Sequence, residues 1–160
     1  MQLAAYLYAM KILMVCLGNI CRSPLAEGIL QQKASKAGLN WVVESAGTNG
    51  YHSGEAPHHL SIKVAELNNI DITNQKSRKF IAEDFDRYDK IYAMAEDVID
   101  DMKQIAKNKF DTKKTDLLLN ELFPQQNKDV PDPWYGPEKG YHDVFDLIDK
   151  ACEKIIINNR

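Results

Sequence analysis

"KILMVCLGNICRSPLAEGIL", residues 11–30, decides how the rest of the chain is read. Its first six residues, Lys11 to Cys16, are β-rich and show no polar alternation, which predicts a strand buried on both faces. From Ser23 the pattern turns helical. Pro24 suits the first helical position, Leu25, Ile29 and Leu30 form an apolar stripe, and Gly38 can close the helix. Between the two lies a short loop holding two cysteines, a glycine, an asparagine and an arginine. Strand, glycine loop and helix in that order open a parallel α/β sheet.

Working outward, "WVVESAG" (41–47) reads as a second strand and "APHHLSIKVAELNN" (56–69) as a helix. "KIYAMA" (90–95) reads as a third strand, followed by a helix from Glu96 to about Lys107. "TDLLLNELF" (115–123) supplies a fourth strand, and Val144, Ile148, Ala151, Cys152 and Ile155 mark a C-terminal helix with one apolar face. The alternation predicts an α/β fold in three layers, a four-stranded parallel sheet covered by helices on both faces. "PQQNKDVPDPWYGPEKG" (124–140) carries four prolines and two glycines and is long enough to be a functional loop.

With 160 residues, 44% of them hydrophobic and 27% charged, the composition is that of an ordinary globular chain, read as a single domain over 10–160. Met10–Lys11 resembles a natural start, so residues 1–9 are read as an N-terminal extension. A net charge of −3 gives no electrostatic reason to expect nucleic acid or an acidic membrane as partner. Any affinity for phosphate must be local. Three cysteines argue against a disulfide framework and for a reducing, cytoplasmic location. Lys11 interrupts the apolar N-terminal stretch, and no membrane anchor is expected. The four histidines show no ligand spacing with the cysteines, so neither a metal nor a cofactor is expected.

In an open α/β sheet, ligands bind beyond the carboxyl ends of the strands, which is where Cys16 and the loop Leu17, Gly18, Asn19, Ile20 and Cys21 fall. Successive N–H groups there, with the N-terminus of the following helix, favour a dianion. Gly18 removes the steric bar to an unusual turn. Arg22, six positions after Cys16, can bring a guanidinium across the opening and hold two phosphate oxygens in parallel. The same surroundings favour a thiolate at Cys16, a nucleophile for phosphorus. Ser23 can donate to that sulfur, and Asn19 can hold the loop's shape. A lone cysteine ending a strand is ordinarily a small buried residue. The combination with Gly18, Arg22 and Ser23 outweighs that reading. The leaving oxygen needs a proton, for which Asp132 in "PDPWYG" is the candidate and Asp129 the rival. Trp134, Tyr135 and Tyr51 can wall a flat aromatic leaving group.

"VCLGNICRSP" before a helix, "ESAGT" (44–48) and the late "DPWYG" together resemble the low-molecular-weight protein tyrosine phosphatases from about Met10 onward. The resemblance implies a flavodoxin-like sheet of strand order 2-1-3-4, no metal, and hydrolysis of phosphotyrosine through a cysteinyl-phosphate. It assigns Cys16 as nucleophile, Arg22 as phosphate clamp, Asp132 as general acid and then base, and Asn19, Ser23 and Ser45 as supports. Cys21 resembles a second loop cysteine able to pair with the nucleophile under peroxide. Gln75 stands where many members have a histidine bonded to the loop asparagine, and an amide there can still bond Asn19. Ala95 replaces a common aspartate. Ile20 stands where an arginine-phosphatase branch carries threonine, which favours phosphotyrosine. The implied partner is a tyrosine-phosphorylated protein, a tyrosine kinase among the candidates. Two alternatives remain open: an arsenate reductase on the same scaffold, although residues 70–130 lack the cysteines it relays through, and a phosphotyrosine-binding module without catalysis.

Overall fold

The computed structural model describes residues 9–159, so all of the expected extension except Ala9 lies outside the described residues. Strand β1 (Met10–Cys16) is central, pairing in parallel with β2 (Trp41–Gly47) on one side and β3 (Lys90–Ala93) on the other. β4 (Thr115–Leu117) adds to β3, giving the order 2-1-3-4. Period-two geometry then sorts β1 between two cores. Ile12, Met14 and Cys16 enter one apolar cluster, while Leu13 and Val15 enter the other.

The first cluster is closed by α1 (Arg22–Lys36), α2 (His59–Leu67) and α5 (Glu138–Asn158), through Leu25, Ile29, Val64, Val144, Ile148 and Cys152. The second is closed by α3 (Asp84–Arg87) and α4 (Glu96–Ala106), through Phe85, Val98 and Met102. Each fully buried large aliphatic side chain here contributes roughly 1.5–3 kcal/mol. Among the described residues no helix is long and apolar enough to cross a membrane.

Several boundaries differ from the sequence expectation. Helix α1 begins at Arg22, which puts Pro24 third, where a missing N–H still breaks no intrahelical bond. Helix α2 is shorter than 56–69 because His58 caps it, its Nδ1 accepting the Leu60 N–H at 3.1 Å. The fourth strand stops at Leu117 instead of Phe123, and a 3-10 turn (Leu118–Asn120) follows. The cause is packing: Leu117 belongs to one core, but Leu118 and Leu119 both belong to the other, which an alternating strand cannot achieve. The single-turn helix α3 has no counterpart in the expectation. It is too short for helical periodicity to register.

Registers Cys16↔Gly47 and Val15↔Ala93 bring the carboxyl ends of β1, β2 and β3 to one edge, and the order reverses there around β1. The segment between α2 and β3 reinforces that edge. Phe80 N–H bonds Gly47 O at 2.7 Å and Gly47 N–H bonds Arg78 O at 2.9 Å. The Arg78 guanidinium in turn grips the fully buried Asp84 with two parallel bonds of 3.1 and 3.0 Å. Removing one member of such a pair strands the other. We expect Asp84→Ala to lower the unfolding free energy by about 3 kcal/mol in urea titration; a loss under about 1 kcal/mol would show that this segment is held by other contacts.

Candidate active site

Carbonyl directions establish what the loop after β1 encloses. The Cys16 and Leu17 carbonyls accept Thr48 and Asn49 N–H, each at 3.0 Å. Gly18 O accepts the Ser77 hydroxyl at 3.1 Å. Ile20 O accepts His58 N–H at 2.8 Å, and Cys21 O the Ser61 hydroxyl at 3.2 Å. Five carbonyls are thus turned outward to donors on the surrounding segments. In a trans peptide the following N–H points the opposite way, and the described chain has no cis bond. The loop's N–H groups therefore converge inward.

Cys16 Sγ sits on that inner side, receiving the Asn19 N–H at 3.3 Å and lying 3.0 Å from Ser23 Oγ. Helix α1 starts at Arg22, so its unpaired first N–H groups add positive potential to the same cup. One expectation about the loop is corrected. The left-handed residue is Asn19, with φ of 57°, and Gly18 is not among the positive-φ residues. Gly18 instead leaves room beside the His52 ring, which a Cβ there would meet at a tight 3.3 Å. Gly47 matters more, since its Cβ would stand 2.8 Å from Leu17 O and 3.0 Å from Asn19 N.

Asn19 is the hub. Its Oδ1 accepts the Arg78 backbone N–H at 3.0 Å, a group that can only donate, so the amide orientation is fixed. Its Nδ2 then donates to Ser23 Oγ at 2.8 Å and to Ser45 Oγ at 3.0 Å. With Ser23 Oγ receiving from Asn19, its own proton remains available to Cys16 Sγ, 3.0 Å away. Gln75 does not make the expected bond to Asn19, whose polar atoms are already engaged. Instead its Nε2 donates to Pro24 O at 3.0 Å, and its Oε1 is buried without a hydrogen-bond partner.

Arg22 is 5% exposed and donates to Val130 O at 3.0 Å, with its other terminal nitrogen 3.7 Å from Asp132 Oδ2. Val130 N–H bonds Met94 O at 2.7 Å, which ties the proline-rich loop to the end of β3. The rival Asp129 is committed elsewhere, accepting the first N–H of α4, Glu96, at 2.9 Å. That contact also supplies the cap that Ala95 lacks. Asp132 accepts Trp134 N–H at 3.1 Å and opens into a cavity of about 270 Å³. Cys16, Leu17, Gly18, Ile20, Cys21 and Arg22 form one side of it; Tyr51, Asp132, Trp134 and Tyr135 complete the wall.

Tyr51 and Tyr135 are 87% and 91% exposed, so they form a rim instead of a sealed pocket. Asn49 and His52 also line the cavity and were not anticipated. Their signal was the parallel pairing of β1 with β2, which places whatever follows Gly47 beside whatever follows Cys16. His52 is held by Glu55 at 2.9 Å and tilts against Trp134, ring centroids 5.8 Å apart. Cys21 is buried, contacts the Tyr141 hydroxyl at 3.6 Å, and has its thiol pushed up to about 11 chiefly by burial. Cys152 is fully buried in the core. Among the described residues, no group of three or more histidine, cysteine or carboxylate side chains is placed to hold a metal ion.

A family model described as low molecular weight phosphotyrosine protein phosphatase matches residues 11–159. Among curated relatives, the low molecular weight protein-tyrosine-phosphatase YfkJ of Bacillus subtilis is 34% identical over 148 residues, 91% of this chain and 93% of its own length. PtpA of Staphylococcus epidermidis is 35% identical over 143 residues, 89% and 88% of the two chains. The solved structure of YfkJ superposes with a TM-score of 0.87 at 33% identity, covering 94% of each chain. Vibrio vulnificus Wzb in complex with benzylphosphonate gives 0.84 at 30% identity, covering 94% of this chain and 99% of its own. Joined to a strand order of 2-1-3-4 and an inward-facing amide cup beneath Arg22, these matches show that the chain belongs to the low molecular weight phosphotyrosine protein phosphatases.

Proposed function

We propose that the protein hydrolyses phosphotyrosine in proteins through a phosphocysteine at Cys16. The observation that carries this reading is the set of five outward carbonyls around a sulfur that accepts an N–H from its own loop. The phosphate dianion sits in the cup, its oxygens bound by inward N–H groups and by Arg22. The Cys16 thiolate attacks phosphorus as the bond to the phenolic oxygen breaks, and Asp132 delivers a proton to that oxygen. Water then attacks phosphorus, Asp132 takes its proton, and the sulfur leaves as a thiolate that Ser23 stabilises by donation. Inorganic phosphate is the second product. No residue changes oxidation state.

Leu17, Gly18, Asn19, Ile20 and Cys21 contribute the cup; Tyr51, Trp134 and Tyr135 flank the phenyl ring; Ser45 supports Asn19. Gln75 acts at one remove, through Pro24. A benzylphosphonate bound to Wzb supports an aromatic phosphoryl group as the occupant. Residues 10–160 are taken as one phosphatase domain acting on a tyrosine-phosphorylated protein, a tyrosine kinase being one candidate. Free thiols at Cys16, Cys21 and Cys152 support a cytoplasmic, reducing location.

Three measurements test this. Cys16→Ser is expected to abolish p-nitrophenyl phosphate turnover, and unchanged turnover would exclude the mechanism. Asp132→Asn should slow phenyl phosphates with poor leaving groups by about 100-fold or more while sparing good ones, since only a basic phenolate needs the proton. A uniform loss would move the acid elsewhere. Finally, an alkylating agent near neutral pH should label Cys16 first and inorganic phosphate should protect it. Cys21, with its thiol at about 11, stays protonated there and inert. Preferential labelling of Cys21 would remove Cys16 from the nucleophile's role.

A further inference from the structure

The hydrogen-bond chain from Cys16 does not end at Ser45. Ser45 Oγ accepts from Asn19, so its proton points onward, to Glu27 Oε1 at 2.7 Å. The sequence Cys16, Ser23, Asn19, Ser45, Glu27 is therefore continuous, each link between 2.7 and 3.0 Å. Arg78 N–H sets the Asn19 amide at its centre, whose Nδ2 donates to both serines, and the Glu27 carboxylate accepts at one end. Glu27 lies on the first turns of α1, half-buried, five residues beyond Arg22, and it touches no part of the substrate cavity.

We propose that Glu27 is a positioning residue for the phosphate loop: as a carboxylate it takes the Ser45 proton and so leaves Ser45 Oγ to accept from Asn19, and on protonation it loosens the loop's grip on Cys16. The proposal rests on the phosphatase reading for its kinetic consequence, but not for the coupling itself.

The surroundings of Glu27 make both states accessible. Burial pushes its carboxyl up to about 7, with Glu44 on β2 adding to the rise; the Ser45 hydroxyl and Arg78 act against it. Tyr88 bonds both Glu44, at 2.8 Å, and Arg78, at 3.2 Å, so part of the nearby positive charge is already committed. On the far side lies a hollow of about 420 Å³ shared with Asp71 and Gln75. Gln75, whose side-chain oxygen is buried without a donor, lines that hollow together with Gln31, Ser35 and Asn74. A carboxylate binds the Ser45 hydroxyl through a charge-assisted bond, whereas a protonated acid offers a weaker acceptor or a competing donor.

The sign for stability runs opposite to that for activity. A carboxyl at about 7 in the folded chain and 4.5 as its reference holds its proton more tightly when folded, so stability falls as pH rises between those values. Glu27→Gln cannot ionise and escapes that loss. We therefore expect this variant to be at least as stable as the parent at about pH 8.5, yet slower there.

The test compares kcat/KM of the parent and Glu27→Gln on a phenyl phosphate from about pH 5.5 to about pH 8.5, with urea unfolding at each pH. Their ratio cancels titrations common to both. It should be near unity at the acid end and rise to about tenfold at the alkaline end, the size of exchanging a charged acceptor for a neutral one. In parallel, the Asn19 side-chain amide, followed by NMR without substrate, should titrate with Glu27 in the parent and stay still in the variant. A ratio independent of pH, or an Asn19 amide indifferent to Glu27, overturns the proposal. A parent chain without turnover but with a titrating Asn19 amide would instead sink the phosphatase reading and leave the coupling standing.

Discussion

Everything at the carboxyl edge of the sheet depends on forcing one non-glycine residue, Asn19, into left-handed backbone and holding it there. Such a conformation costs on the order of 1 kcal/mol and survives only where neighbours over-determine it. Asparagine tolerates it better than most residues. Here the neighbours are specific: Arg78 N–H on Oδ1, two serine oxygens on Nδ2, and Gly47 pressed beneath the loop with no room for a Cβ. Because Asn19 turns, the peptides on either side can send their carbonyls outward and their N–H groups inward. The cup is thus a consequence of satisfied backbone bonding outside it. A phosphate finds donors already aimed, and little reorganisation remains when charge develops.

The second half of the site is bolted to the first. Arg22 leaves the loop at the start of α1 and reaches Val130 O, while Val130 N–H continues the line of bonds from β1 through Met94. Asp129 closes the same joint by capping α4 at the point where Ala95 cannot. Asp132 follows within three residues, flanked by prolines on both sides, so little of the loop's freedom remains at that position. The aromatic residues differ from this. Tyr51 and Tyr135 stand almost wholly in solvent, which suits a rim that meets a protein-borne phenyl ring and explains why they carry no share of the core.

How much of this was legible in the sequence varies with the range of the interaction involved. The strand-loop-helix of residues 11–30, the order of elements and the placing of Cys16 and Arg22 at one edge followed from local pattern and parallel topology, whereas the choice of Asp132 over Asp129 rested on the family resemblance. What stayed hidden was set by contacts distant in sequence. The end of β4 is decided by which core Leu118 and Leu119 enter, and the cap of α4 by an aspartate 33 positions away. Asn49 and His52 needed the register Cys16↔Gly47 to be seen as neighbours of the loop. Gln75 was misplaced for a related reason: the capacity of Asn19 was already spent on Arg78, Ser23 and Ser45, and no local pattern records how many bonds a side chain has left.

That exhausted capacity also explains a polar atom stranded behind the loop. Gln75 Oε1 is buried without a donor, a condition that ordinarily costs about 1–3 kcal/mol. Asn19 cannot relieve it, because both amide protons are taken and its own oxygen is an acceptor. Pro24 occupies the amide nitrogen of Gln75 but offers nothing to its oxygen, since proline has no N–H. Behind the cup, Glu27, Gln75 and Asp71 line one hollow together with the donor side chains of Gln31, Ser35 and Asn74. Away from water a carboxyl group gains by keeping its proton, and the upward shift of Glu27 follows first from burial, with Glu44 adding to it against the Ser45 hydroxyl and Arg78. The loop is held by Arg78 N–H on one side of the Asn19 amide and by Ser23 and Ser45 on the other, and Asn19 is the residue through which the cup is joined to Glu27.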